Sequence, residues 1–182
     1  SLELEDLKLK ENNQFQSDLI WNYASLIFYG ISGLALNVII GLYYNASILG
    51  AFNQVLAIYI IFSMLGSGGI NFSTLRAISI NLDNKKILRD IICGAMIPTS
   101  LLSLAFTLLF LLFINPISDL LDSHLVRSGM LVISPGLFFF SINKVLLQGV
   151  LNGLQRMKTF AVYQSLRYIF ILFSLIGLII FS

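Results

Sequence analysis

Charge is what this chain has least of. From residue 19 to residue 75 there is no Asp, Glu, Lys or Arg, a run of 57 residues. Charged residues make up 11% of the whole, against about 25% in soluble domains. No soluble domain of this size carries so long an uncharged run. A bilayer crossing takes about 20 apolar residues, so the run has room for two crossings and a turn. Cys93 is the single cysteine, which excludes an intrachain disulfide and a cysteine metal site. There is one histidine, His124, and no H-E-x-x-H, G-x-x-x-x-G-K-[ST] or G-x-S-x-G sequence. His124 with Asp119 and Asp122 reads as a solvated polar loop rather than a metal site. No catalytic constellation appears, and ATP bound to this chain is excluded as a driving force. A net charge of +2 is too small to imply nucleic acid. The expectation is a protein that is not an enzyme and has no cofactor, metal or nucleic-acid partner.

What is present is apolar: 57% of residues, with 13% aromatic. Five segments separate, roughly 20–42, 50–74, 91–114, 130–152 and 161–181. Each is long enough to cross with modest tilt. Strands would need about 10 residues of strict alternation, so helices are the reading. The fold class is an all-α membrane protein, a polytopic bundle of about five transmembrane helices and their lipid partners. Residues 1–18 form an N-terminal tail and 19–182 the transmembrane bundle. The tail is mainly acidic and the first apolar run is too long for a signal peptide, so it reads as an uncleaved span. A start at Ser1 and a stop at Ser182 inside an apolar run suggest part of a longer protein. Pro98 and Pro135 are expected to kink their helices.

Orientation follows from Lys and Arg in the short loops. One side receives Lys8, Lys10, Arg76, Lys85, Lys86, Arg89, Arg156 and Lys158, the other only Arg127. The N-terminus and the 76–90 and 153–160 loops are therefore expected in the cytoplasm, and the 43–49 and 115–128 loops outside. Trp21, Tyr23, Tyr43 and Tyr44 stand where an aromatic belt would hold the first span. Asn45-Ala-Ser47 matches the glycosylation tripeptide, a common pattern that matters only in a eukaryotic secretory pathway.

The remaining cations, Lys144 and Arg167, fall inside spans. Polar groups in hydrocarbon are tolerated mainly against other helices or water. Ser141, Lys144, Gln148 and Asn152 recur at helical spacing, with Gln155 continuing the row, as expected of a cavity wall or a polar helix contact. The fifth segment carries Tyr163, Gln164, Arg167 and Ser174, and the first Asn22, Ser25, Tyr29, Gly33 and Asn37. Three such stripes suggest a hydrated interior. Lys144 and Arg167 lie about 10 Å deep at 1.5 Å per residue. Either each snorkels to the headgroups or the two form a cationic cavity wall for an anionic substrate, the reading that the amides around Lys144 favour. Arg76 is an interfacial anchor or a further substrate contact. Gly149 and Gly153 form a G-x-x-x-G pair, and Gly66, Gly68 and Gly69 cluster, all suited to close helix packing or to a hinge.

Leu49-Gly50 after the first outer turn, Gly66-Ser67-Gly68-Gly69-Ile70 leading to Leu75-Arg76-Ala77-Ile78-Ser79, and Pro135-Gly136-Leu137-Phe138 through Asn143-Lys144 to Leu151-Asn152-Gly153-Leu154-Gln155-Arg156-Met157-Lys158 carry a resemblance. Over most of residues 17–182 the chain resembles the polysaccharide-biosynthesis flippases, the O-antigen and capsule repeat-unit translocases of the multidrug/oligosaccharidyl-lipid/polysaccharide exporter superfamily. It departs from them at Ala51-Phe52-Asn53, where acidic and glycine residues are often found. The resemblance implies about twelve helices in two lobes that open alternately, of which this chain would be the N-terminal portion and a missing C-terminal lobe the partner. It implies a polyprenyl-pyrophosphate-linked, anionic oligosaccharide moved across the bacterial inner membrane. It also implies a cavity lined by basic residues, with Arg76, Lys144 and Arg167 the available positions. The alternatives are a drug or metabolite exporter of the same superfamily, against which stands the lack of Asp or Glu inside the spans, and a non-transporting component of polysaccharide assembly.

Overall fold

A computed structural model describes the backbone of residues 2–181 and the side chains of residues 16, 19–177 and 180. The side chains of Lys8, Lys10 and the acidic residues of the 1–18 tail lie outside the described residues. In chain order the helices are α1 (Leu2–Tyr43), α2 (Ala46–Ser67), α3 (Ile70–Ile80), α4 (Lys85–Leu120), α5 (His124–Lys144) running into a π segment (Val145–Leu151), and α6 (Met157–Phe181). Among the described residues there is no strand. Five stretches are long and apolar enough to cross a membrane: Leu19–Tyr43, Ala46–Ser67, Lys85–Leu120, His124–Leu151 and Met157–Gly177. The protein is thus a multi-pass helical membrane protein.

Local chemistry sets most boundaries. The Asn45 side chain accepts from Ile48 N at 2.9 Å and caps α2, and Asn84 does the same for α4 through Ile87 N. Such caps satisfy donors that the helix itself cannot. The second crossing does not run unbroken to residue 74 as the hydrophobic pattern suggests. Gly68 (φ 52°) and Gly69 (φ 73°) are both left-handed, which ends α2 and starts α3 separately. Nor does a loop begin at Asn115. Pro116 is accommodated inside α4, which continues to Leu120 and leaves only residues 121–123 as the turn. At 36 residues, α4 is about 54 Å long at 1.5 Å per residue, well beyond the hydrocarbon thickness of about 30 Å. Its surplus at one end carries Lys85, Lys86, Arg89 and Asp90.

Pro98 and Pro135 both sit inside continuous helices. Pro135 cannot donate to the Leu131 carbonyl four residues back, and the neighbouring Ser134 hydroxyl donates to it instead at 2.8 Å. That is the substitution of side chain for backbone by which membrane helices tolerate proline.

The contacts divide the chain into two units, residues 40–155 and residues 1–39 with 156–182. In the first unit α2, α4 and α5 pack together, with α2 and α5 parallel and α4 antiparallel to both. One half of this bundle is filled by Val55, Phe110, Ile114, Val126, Met130 and Leu137, with the Phe62 ring edge-on to Phe110 at 5.1 Å. The other half is built from small polar residues. Ser63, Ser67, Thr99, Ser103 and Ser141 are buried there, and Gly66 lies against Ser103 and Ser141. These hydroxyls do not need water. Ser63, Ser67, Thr99 and Ser141 donate to carbonyls of their own helices at 2.7–3.0 Å, and Ser103 donates across to Phe138 O at 2.9 Å. Small satisfied residues let backbones approach where lipid removes any hydrophobic drive between helices. The outward surface is apolar instead, with Ile97, Leu112 and Val132 two-thirds exposed or more, as a hydrocarbon solvent allows.

In the second unit, α1 and α6 carry Trp21, with Lys158 Nζ 5.4 Å from its ring centre. The Tyr29 and Tyr168 rings meet edge-on at 5.0 Å.

Candidate functional site

The polar row of the fourth crossing is the natural starting point, and the structure separates its members. Ser141 is fully buried, donates to Leu137 O at 3.0 Å, and packs against Gly66. It serves a helix contact. Lys144, the last residue of α5, is partly exposed, as are Gln148 in the π segment and Asn152 just beyond it. Gln148 Oε1 accepts from Asn71 Nδ2 at 3.1 Å. Gln155 does not extend the row. It lies in the turn before α6 with φ 57°, exposed and off the helix. A side chain in left-handed geometry costs roughly 1 kcal/mol relative to glycine. Gln155→Gly is therefore expected to raise thermal stability in detergent slightly, by about 0.5–1 kcal/mol.

The partner of the π segment is α3, whose role was not legible as a separate helix. A Cβ on Gly149 would lie 3.0 Å from Asn71 O and 3.2 Å from Thr74 Cβ. One on Gly153 would lie 2.9 Å from Ile78 Cβ and 3.1 Å from Leu75 O. The pairings advance together along both chains, so α3 runs parallel to the π segment. The G-x-x-x-G pair is a close-packing device, as its spacing suggests. Arg76 projects from α3 and is exposed, while Asn71 and Thr74 are buried. Asn71 is the polar residue that sequence reasoning missed. With Gly68 and Gly69 counted inside one continuous span, nothing distinguished it from neighbouring uncharged residues.

Asn71 Oδ1 and Asn152 Oδ1 are both buried without a hydrogen-bond partner. Each such acceptor costs about 1–3 kcal/mol. Asn71 and Gln148 are thus joined across the seam, with Lys144 four residues before Gln148 and Asn152 four after it, and Arg76 on the exposed face of α3.

Arg167 and Asn37 belong to the other unit. Arg167 Nη2 donates to Tyr168 Oη at 2.9 Å, and Tyr168 in turn rests on Tyr29. Asn37 Nδ2 donates to Gly33 O at 2.9 Å, and Ser25 Oγ to Asn22 O at 2.8 Å. Part of the first helix's polar stripe is thus spent on its own backbone.

Among the described residues, two of the surface clefts are apolar. One, about 380 Å³, lies between α2 and α5 and is lined by Ile48, Phe52, Val55, Leu125 and Gly129 among others. The other, about 340 Å³, lies between α1 and α6 beside Trp21, Phe28, Ala161 and Ser165. None of Asn37, Arg76, Ser141, Lys144, Gln148, Asn152 and Arg167 lines either cleft. Protein-family models, curated proteins and solved structures offer no match to the chain.

Proposed function

We propose that this chain is part of a transporter that moves a lipid-linked, anionic oligosaccharide, such as a polyprenyl-pyrophosphate-linked O-antigen or capsule repeat unit, across the bacterial inner membrane. The observation that carries the reading is Lys144, a cation in the interior of an apolar crossing, partly exposed and followed on the same helix by Gln148 and Asn152. A charge in that position is costly, and such residues ordinarily face a pathway or a partner. An ammonium beside carboxamides supplies donors for pyrophosphate oxygens and acceptors for sugar hydroxyls. Arg76, exposed on α3, is a second candidate cation of the same unit. Arg167, held by Tyr168, is a further candidate in the other unit. The lipid tail would stay in the bilayer while the head group crosses.

In this reading the N-terminus is cytoplasmic, because eight of the nine loop and tail cations then fall on that side. A second lobe supplied by the rest of a twelve-helix protein would complete the pathway, and alternating access would come from the rocking of one lobe against the other.

Lys144→Ala and Arg167→Ala are each expected to lower surface-polysaccharide export at least tenfold in a complemented strain, with membrane insertion unchanged on immunoblots. Conservative Lys144→Arg should retain most of the activity. Export at the normal level in both alanine variants removes the cationic pathway and the assignment with it.

A further inference from the structure

We propose that α3 is an articulated helix, which docks on the π segment and swings away from it about Gly68 and Gly69. The motion is independent of what cargo the protein carries.

The joint is built into the backbone. The Gly68 N–H donates to Leu65 O and Met64 O and closes α2, while Gly69 O accepts from Phe72 N and opens α3. The two helices therefore terminate separately on either side of two left-handed glycines. Left-handed geometry at both positions suits glycine, and a Cβ on Gly68 would also collide with Leu102 Cδ2. Gly69 has open space around it.

The dock carries little polar bonding. Its side-chain hydrogen bond is Asn71 Nδ2 to Gln148 Oε1, worth about 0.5–1.5 kcal/mol. The rest is close contact at Gly149 and Gly153. Against these stand two orphaned oxygens, Asn71 Oδ1 on α3 and Asn152 Oδ1 just beyond the π segment. Asn71 is buried while α3 is docked, and its oxygen would gain a partner if α3 left. The partner surface is itself a π segment, a form that is rare and commonly found as a local irregularity at functional sites. The seam thus combines a glycine joint, one side-chain hydrogen bond among the described residues, an unmet acceptor on α3 and an irregular docking surface. These lower the cost of undocking relative to a fully satisfied helix contact. Undocking would carry Arg76 away from the bundle and open Gln148 and Asn152 to solvent.

Hydrogen exchange on the full chain in lipid nanodiscs tests this. The amides of residues 70–80 are expected to exchange at least tenfold faster than those of 103–110, which belong to the packed stretch of α4. Asn71→Leu removes the orphaned oxygen along with the tie, and is expected to slow exchange in 70–80. An ordinary structural tie would give the opposite sign, since its loss would loosen the helix. Equal exchange in 70–80 and 103–110 of the unmodified protein overturns the proposal, and so does faster exchange in Asn71→Leu. The unmodified protein alone decides the first point, so failure of a variant to fold does not protect the idea.

Discussion

Gly149→Ala combined with Gly153→Ala is expected to displace α3 from the bundle and to destabilise the protein by about 2–6 kcal/mol, since each overpacked methyl costs about 1–3 kcal/mol. The reason lies in what each new methyl would meet. At Gly149 the nearest atom is a backbone carbonyl, Asn71 O at 3.0 Å. At Gly153 the obstacles are the branched Ile78 side chain and Leu75 O, the closest at 2.9 Å. Neither a carbonyl nor a Cβ can rotate aside, so the helix must move as a body. Gly66 offers the informative contrast. A methyl there meets Ser141 Oγ at 2.8 Å, the movable end of a side chain. Gly66→Ala should therefore be rescued largely by Ser141→Ala, with a coupling of about 0.5–3 kcal/mol in a double-mutant cycle. Gly30→Ala and Gly94→Ala, with open space around both, should be neutral. Denaturant unfolding in detergent, followed by circular dichroism, ranks all of them. Equal stability of the Gly149/Gly153 double variant and Gly30→Ala would show that α3 does not rest on the π segment at all.

The same contacts explain which parts of this architecture are legible in the order of residues and which are not. Five crossings follow from hydropathy alone, because hydrocarbon tolerates no long charged stretch and, Lys144 and Arg167 apart, charge lies at or beyond the ends of the apolar segments. The close contact at Gly149 and Gly153 also follows from residue type and spacing, whereas the helix start at Asn84 lies well before the apolar segment at 91–114. The break at Gly68–Gly69 does not, because hydropathy runs through it without change and glycine inside a span has two uses, packing and turning. The position of the turn after α4 is obscured by Pro116, which marks a helix end in water far more often than in a membrane protein. The π segment is invisible to periodicity, since one residue of slippage over 145–151 still leaves Lys144 and Gln148 near a common face. Residue types alone also divide the candidate site poorly. Ser141 and Asn152 look alike in a polar row, yet Ser141 is satisfied by Leu137 O and sealed by Gly66, while Asn152 holds an unmet acceptor. What separates them is the neighbour across the seam, and that neighbour is a helix the hydrophobic pattern had merged with α2.

Phe110→Ala and Leu112→Ala should differ by about 2–4 kcal/mol although the two residues are adjacent but one on the same helix, because truncating a buried Phe costs about 3–5 kcal/mol. Phe110 is fully buried, edge-on to Phe62, in the cluster with Val55, Met130 and Leu137. Leu112 is 73% exposed. In water both truncations would lose transfer energy. In a bilayer the transfer term nearly vanishes for Leu112, because lipid chains are as apolar as the side chain and fill the space it leaves. For Phe110 the transfer term shrinks too, but the cavity remains, and neighbours on three helices lose dispersion contacts that lipid cannot replace. The difference between the variants therefore isolates packing from hydrophobicity. Reversible unfolding in mixed micelles is the measurement. A Leu112→Ala cost as large as that of Phe110→Ala would mean that this face of α4 is covered by protein, and that more of the chain's apolar surface is partnered than the bundle of α2, α4 and α5 accounts for.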